Sequence, residues 1–182
     1  MLKKLLPATI VAAAALPAPP ASAATVRIEL AHTSTFRESS GVEFTCPLDE
    51  VLTGRSHSGD ENGYTTYYCS RVYIDDQQVQ VLDADWDVGV QKESDGVPYT
   101  AIDGRALVGR WHKGDENGYT RYRTGALIWQ GKRVYVTDQR WSTGMKESGH
   151  SYRTSGDKVL TGRQHIGDEN GTTLYQYGTV TP

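Results

Sequence analysis

The chain has 182 residues, with 19 Lys and Arg against 22 Asp and Glu, a formal net charge of −3, and only two cysteines. That balance excludes the polybasic surface needed to hold nucleic acid or an anionic membrane. The length fits one domain of ordinary size with enough chain to bury a core.

Met1-Leu-Lys-Lys is basic, the run from Leu5 to Leu16 is apolar and Ala-rich, and Ala21-Ser22-Ala23 offers small residues for cleavage. This pattern predicts a signal peptide over residues 1–23 and a secreted, extracellular mature chain over 24–182. The apolar run is too short to cross a bilayer, and nothing after it approaches the ~20 apolar residues of a spanning helix, so no membrane insertion is expected. Setting aside Lys3 and Lys4 leaves 17 basic residues against 22 acidic ones and a net charge near −5. In an oxidising compartment, Cys46 and Cys69 are expected to form a disulfide worth about 3 kcal/mol by chain entropy.

The first predicted strand is Val26-Arg-Ile-Glu-Leu, followed by Arg37-Glu38-Ser39 and a hairpin at Gly54-Arg-Ser-His57-Ser-Gly-Asp60-Glu61-Asn62-Gly63. The same order then recurs. Val79-Gln-Val-Leu-Asp opens a second unit with Lys92-Glu93-Ser94 and the hairpin Gly109 to Gly118. Val134-Tyr-Val-Thr-Asp opens a third with Lys146-Glu147-Ser148 and the hairpin Gly162 to Gly171. The leading glycines are 55 and then 53 residues apart, and the units run over about 26–78, 79–133 and 134–182. Val, Thr and Tyr dominate, Gly, Asp, Asn and Ser separate the runs, and helical periodicity is absent. The expected fold is therefore all-β: three internal repeats of about 53 residues, about four strands each, forming a closed pseudo-threefold domain, β-trefoil-like or β-prism-like.

A five-residue turn from Gly59 to Gly63 sets Ser58 opposite Tyr64, His57 opposite Thr65 and Arg55 opposite Tyr67. Alternation then places Arg55, His57, Thr65 and Tyr67 on one face, and the same four residue types recur in the other two repeats. Part of this pattern has a structural reading. Asn-Gly suits positive φ, Arg can pair with Tyr, and Glu38 can bind the Arg of its own repeat.

A turn does not need two adjacent carboxylates at its tip in triplicate, whereas a ligand with several hydroxyls would use them. The candidate ligand-binding residues are His57, Asp60, Glu61 and Asn62, then His112, Asp115, Glu116 and Asn117, then His165, Asp168, Glu169 and Asn170. Trp111, on the opposite face from His112, is the stacking candidate, while Trp86 and Trp141 read as core. The expected partner is an extracellular glycan or cell-surface polysaccharide, gripped weakly at up to three sites. The layout is similar in outline to lectin folds with one sugar site per repeat, an analogy of architecture alone. The alternative partner is a secreted protein, met by a module such as a protease inhibitor acting through one exposed loop.

No cofactor is implied by the motifs. Each repeat offers too few ligands for zinc, so a zinc ion could be held only if the repeats brought His57, His112 and His165 together, and the Asp-Glu-Asn run could hold calcium only with help from other segments. Gly-x-Ser-x-Gly, His-Glu-x-x-His and a Cys–His pair are all lacking, and adjacent Asp60 and Glu61 do not flank a glycosidic bond.

Overall fold

A computed structural model describes residues 23–60, 62–115, 118–168 and 170–182. The segment read as a signal peptide lies outside them apart from Ala23. Among the described residues the chain is all-β, without a helix.

The first repeat holds β1 (Val26–Arg37), β2 (Ser40–Thr45), β3 (Glu50–Ser58), β4 (Tyr64–Ile74) and the short β5 (Gln77–Gln78). The second holds β6 (Gln80–Trp86), β7 (Gln91–Lys92), β8 (Tyr99–Thr100), β9 (Ala106–Lys113) and β10 (Tyr119–Trp129). The third holds β11 (Lys132–Trp141), β12 (Met145–Lys146), β13 (Gly149–Arg153), β14 (Lys158–Ile166) and β15 (Thr172–Thr181). Among the described residues the count of fifteen exceeds the twelve expected because several segments pair over only two residues before a loop interrupts them.

Three long antiparallel hairpins, β3–β4, β9–β10 and β14–β15, carry the repeated motif. Their register is the one the turn length dictates: Ser58 faces Tyr64, His57 faces Thr65 and Arg55 faces Tyr67. Two-residue turns follow β4 and β10. Asp75-Asp76 has φ of 47° and 61° and Gln130-Gly131 has 50° and 72°, the backbone that matches strand twist in tight hairpins.

Pairing also runs between repeats in a cycle. β2 of the first repeat pairs with β9 of the second, β8 of the second with β14 of the third, and β13 of the third with β3 of the first. Backbone hydrogen bonding nonetheless yields two sheets, of five and ten strands, and not one closed barrel. The chain passes from the first sheet to the second at Val79, whose amide still bonds Val72 while the next strand, β6, pairs with β10.

The core has two layers. Val51, Val72, Ile74, Val79, Val108, Leu127 and their neighbours pack in one, at 3% exposure or less. The other collects Leu52, Leu107 and Leu160 with Tyr67, Tyr122 and Tyr175, one leucine and one tyrosine from equivalent positions of each repeat. The disulfide between Cys46 and Cys69 lies in this second layer and ties β4 to the end of β2, with Cα atoms 5.7 Å apart.

Candidate functional site

The first glycine of each motif is dictated by the strand that crosses it. A Cβ at Gly54, Gly109 or Gly162 would collide with the backbone carbonyl of Tyr152, Phe44 or Tyr99, which belongs to a strand donated by another repeat. The arginine that follows points inward. Arg55, Arg110 and Arg163 are 1–3% exposed, and Glu38, Glu93 and Glu147 meet them at 8%.

These six charges alternate around a closed circuit. Arg55 contacts Glu38 at 3.1 Å and Glu147 at 2.8 Å, Arg110 bonds Glu38 and contacts Glu93 at 2.6 Å, and Arg163 bonds Glu93 and contacts Glu147 at 3.2 Å. Each arginine thus bridges the glutamate of its own repeat and that of a neighbour. Tyrosine hydroxyls cap the circuit, with Arg110 donating to Tyr67 (2.9 Å) and Arg55 to Tyr175 (3.0 Å). Burial alone would raise the glutamate carboxyls, but two guanidinium charges beside each outweigh it and hold all three below the usual carboxylate range.

The histidines serve the turns. His57 Nε2 donates to the Asp60 carbonyl and His112 Nε2 to the Gly114 carbonyl, both at 3.1 Å, and the His165 ring bonds the backbone of Gly167. Burial, then the adjacent Arg55 or Arg163, pushes His57 and His165 below the ordinary imidazole value. At 4–6% exposure the three rings lie inside the molecule, beneath the turns and not on a surface a ligand could reach. Each occupies its own turn, and among the described residues no group of three or more His, Cys, Asp or Glu is placed to hold a metal ion.

The turn residues are also committed to the backbone. Asp60 Oδ1 accepts from the Asn62 amide and Asp168 Oδ1 from the Asn170 amide, each at 3.0 Å, which closes an Asx turn. Ser39 and Ser148 donate to the side-chain oxygens of Asn62 and Asn170. The amides of Glu38, Glu93 and Glu147 bond the carbonyls of Gly63, Gly118 and Gly171 at 2.9–3.0 Å, so the Glu-Ser segment is bolted to the hairpin of its own repeat. Asp60, Asn62, Asp115, Asp168 and Asn170 remain on the surface. Glu61, Glu116, Asn117 and Glu169 lie outside the described residues.

No family profile, curated protein or solved structure matches this chain.

Trp111 is half-buried on the outer face of β9, where the Arg121 guanidinium sits 5.4 Å from its ring and 5.1 Å from that of Trp86. Trp86 and Trp141 are likewise half-buried at the outside and belong to neither core layer, a departure from the core reading. The inner aromatic layer is built instead by Phe44, Tyr99 and Tyr152, stacked on Tyr67, Tyr122 and Tyr175 at 4.2–5.2 Å.

Two residues that the sequence reading passed over stand beside the turns. Tyr64 and Tyr119, the first residues after the last glycine of their motifs, are each 54% exposed. Their position after an invariable Asn-Gly within the chain was the available signal. Tyr64 pairs with Arg37, whose guanidinium lies 5.5 Å from the ring, and Tyr119 pairs with Lys92 and Lys113. The third repeat has Thr172 there, opposite Lys146.

Proposed function

We propose that this is a secreted glycan-binding protein in which three repeats, related by a pseudo-threefold axis, present their hairpin tips as sugar sites, with the tips of the first two repeats carrying most of the affinity. The observation that supports the reading is the pair of half-exposed tyrosines, Tyr64 and Tyr119, standing next to exposed Asp60, Asn62 and Asp115 and beside basic side chains. A tyrosine face stacks on the apolar face of a pyranose, while carboxylate, amide and guanidinium groups bond hydroxyls in the ring plane. The buried motif residues hold those tips rigid, which lowers the ordering cost of binding. Thr172 offers no ring, so the third tip binds more weakly.

A glycan array with the chain from Ala24 to Pro182, run with and without EDTA, tests this. The expected result is selective binding that falls about 2- to 10-fold for each tyrosine removed, as Tyr64→Ala and Tyr119→Ala, on the worth of one aromatic contact. Loss in EDTA would add a metal ion to the site. Unchanged binding by the double variant would sink the reading.

A second reading rests on the segment between Trp86 and Tyr99, where Val88 is fully exposed and Val90 and Val97 are half-exposed. An apolar loop held at both ends is the form a protease inhibitor or other protein-binding module would use. A blank array together with capture of a secreted protease would favour it.

A further inference from the structure

The outer faces of the three hairpins are not alike. In the second repeat β2, β9, β10 and β7 lie side by side. Arg110, His112, Thr120 and Tyr122 turn inward and are buried, so the residues that alternate with them turn out. One outward row runs Lys113, Tyr119, Lys92, and the next runs Glu43, Trp111, Arg121. Beyond that row Arg123 pairs with Trp86.

These side chains are open to solvent. Tyr119 is 54% exposed and both lysines are exposed. Arg121 keeps 31% of its side chain open, although Trp111, Trp86 and Glu43 hold it in place. Among the described residues the outward rows carry four cations and one carboxylate, Glu43, which is already bonded to Arg121, while Asp115 stands at the rim in the turn.

The fold does not ask for this chemistry. Where the second repeat has Lys113, Trp111 and Arg121, the first has Ser58, Ser56 and Thr66, and the third has Ile166, Gln164 and Leu174. All three hairpins keep the same register at these positions, and the buried circuit touches none of them. The divergence has gathered cations beside aromatic rings on one face alone. Such a face suits an anionic ligand made of rings, in which each ring lies on an aromatic surface and its charge reaches a cation alongside. Tyr119 has a lysine on either side, and Trp111 is its diagonal neighbour, about 7–8 Å away in an antiparallel ladder, a gap that consecutive rings of one chain bridge. Charges are screened over about 8 Å at physiological salt, so the sign of this face governs the contact despite the net negative charge of the chain.

We propose that the outer face of the second repeat binds a polysaccharide of uronic acids, with one ring stacked on Tyr119 and its carboxylate on Lys92 or Lys113, and the next ring against Trp111 with its carboxylate on Arg121. The choice of a sugar chain over another anionic ring polymer rests on the glycan-binding reading. The face extends that reading by giving the ligand a charge and by adding a surface that the first and third repeats lack.

The test is an NMR titration of the chain from Ala24 to Pro182 with oligogalacturonate and oligomannuronate. Their methyl esters serve as uncharged controls, and dextran sulfate and oligodeoxythymidylate as polyanion controls. At least one uronate is expected to give saturable shifts at the Trp111 and Trp86 indole N–H groups and at the amides of 111–113 and 119–121. Affinity should fall as salt is raised, and the methyl ester should bind at least about fivefold more weakly. Lys92→Gln combined with Lys113→Gln should weaken uronate binding about 2- to 10-fold, and Trp111→Ala by a similar factor. Both lysines are exposed, so their replacement leaves the core intact, and the amide spectrum reports the fold of each variant. Lys132→Gln, the same charge change opposite the far end of β10, should leave binding unchanged. No shifts at these groups from either uronate would overturn the proposal and leave the hairpin tips to their own array test. Equal binding by dextran sulfate or oligodeoxythymidylate would overturn it as well, since the face would then not select uronates. Binding that needs Trp111 and the two lysines while Tyr64→Ala has no effect, here or on the array, would sustain the proposal and remove the first tip.

Discussion

His150 shows how tightly the interior constrains one side chain. Its Nδ1 lies 3.1 Å from the Glu147 carbonyl, its Nε2 lies 2.7 Å from the Tyr175 hydroxyl, and Arg55 stands 3.5 Å away. Burial first, and then the Arg55 charge, lower its pKa from 6.5 to about 4. The unfolded chain therefore binds the proton first as pH drops, so this contribution to stability is present above pH 6.5 and is lost as pH falls from there toward 4. His57 and His165 shift in the same direction and add to the loss. Below that window the glutamates take over: their folded values lie under the ordinary 4.5, so acid continues to favour the unfolded state. Melting temperature followed from pH 8 to 4 should fall below about pH 6.5, and His150→Gln should flatten part of that slope; a flat wild-type curve would contradict the account. None of this was legible in the sequence at His150, which has no counterpart in the motif. The inward turn of His57 was half legible: alternation put it on the face of Arg55 and Tyr67, but not which face was the core.

At the scale of the elements, the hairpins could be read directly because the five-residue turn length and period-two alternation leave little choice of register, although the positive φ expected at Asn-Gly falls instead on Gly59, Gly114 and Gly167. The crossing strands could not. β8 is two residues long, and β2, β8 and β13 each find their partner in a different repeat, a contact that no local pattern announces. Their one signature is the glycine they cross. Gly54→Ala, Gly109→Ala or Gly162→Ala forces a methyl against a neighbouring backbone carbonyl, whereas Gly149→Ala meets nothing within 4 Å. Urea unfolding should show a loss of about 1–3 kcal/mol for the first three, the usual range for overpacking, and a change within about 0.5 kcal/mol for Gly149→Ala. Equal effects at all four positions would mean that the glycines serve only the turns and bulges.

At the scale of the molecule, the triplicated motif accounts for one interior. The all-β class and the disulfide were readable, as was a bond between Glu38 and Arg55. The bond from Glu38 to Arg110 was not, because it depends on how the repeats face one another. A buried ionic circuit is weak evidence of net stability, since desolvation offsets much of the attraction, but removing one partner strands a charge and costs about 3–5 kcal/mol. The circuit can close only when each repeat contributes its own Arg and Glu. The Arg–Glu pair that spans two repeats therefore tests the account most directly. A double-mutant cycle with Glu38→Gln and Arg110→Met, read by urea unfolding, should give a coupling of about 2 kcal/mol or more if the two charges meet as described. A coupling within about 0.5 kcal/mol of zero would mean that the repeats are not joined through these side chains, and the circuit would be wrong.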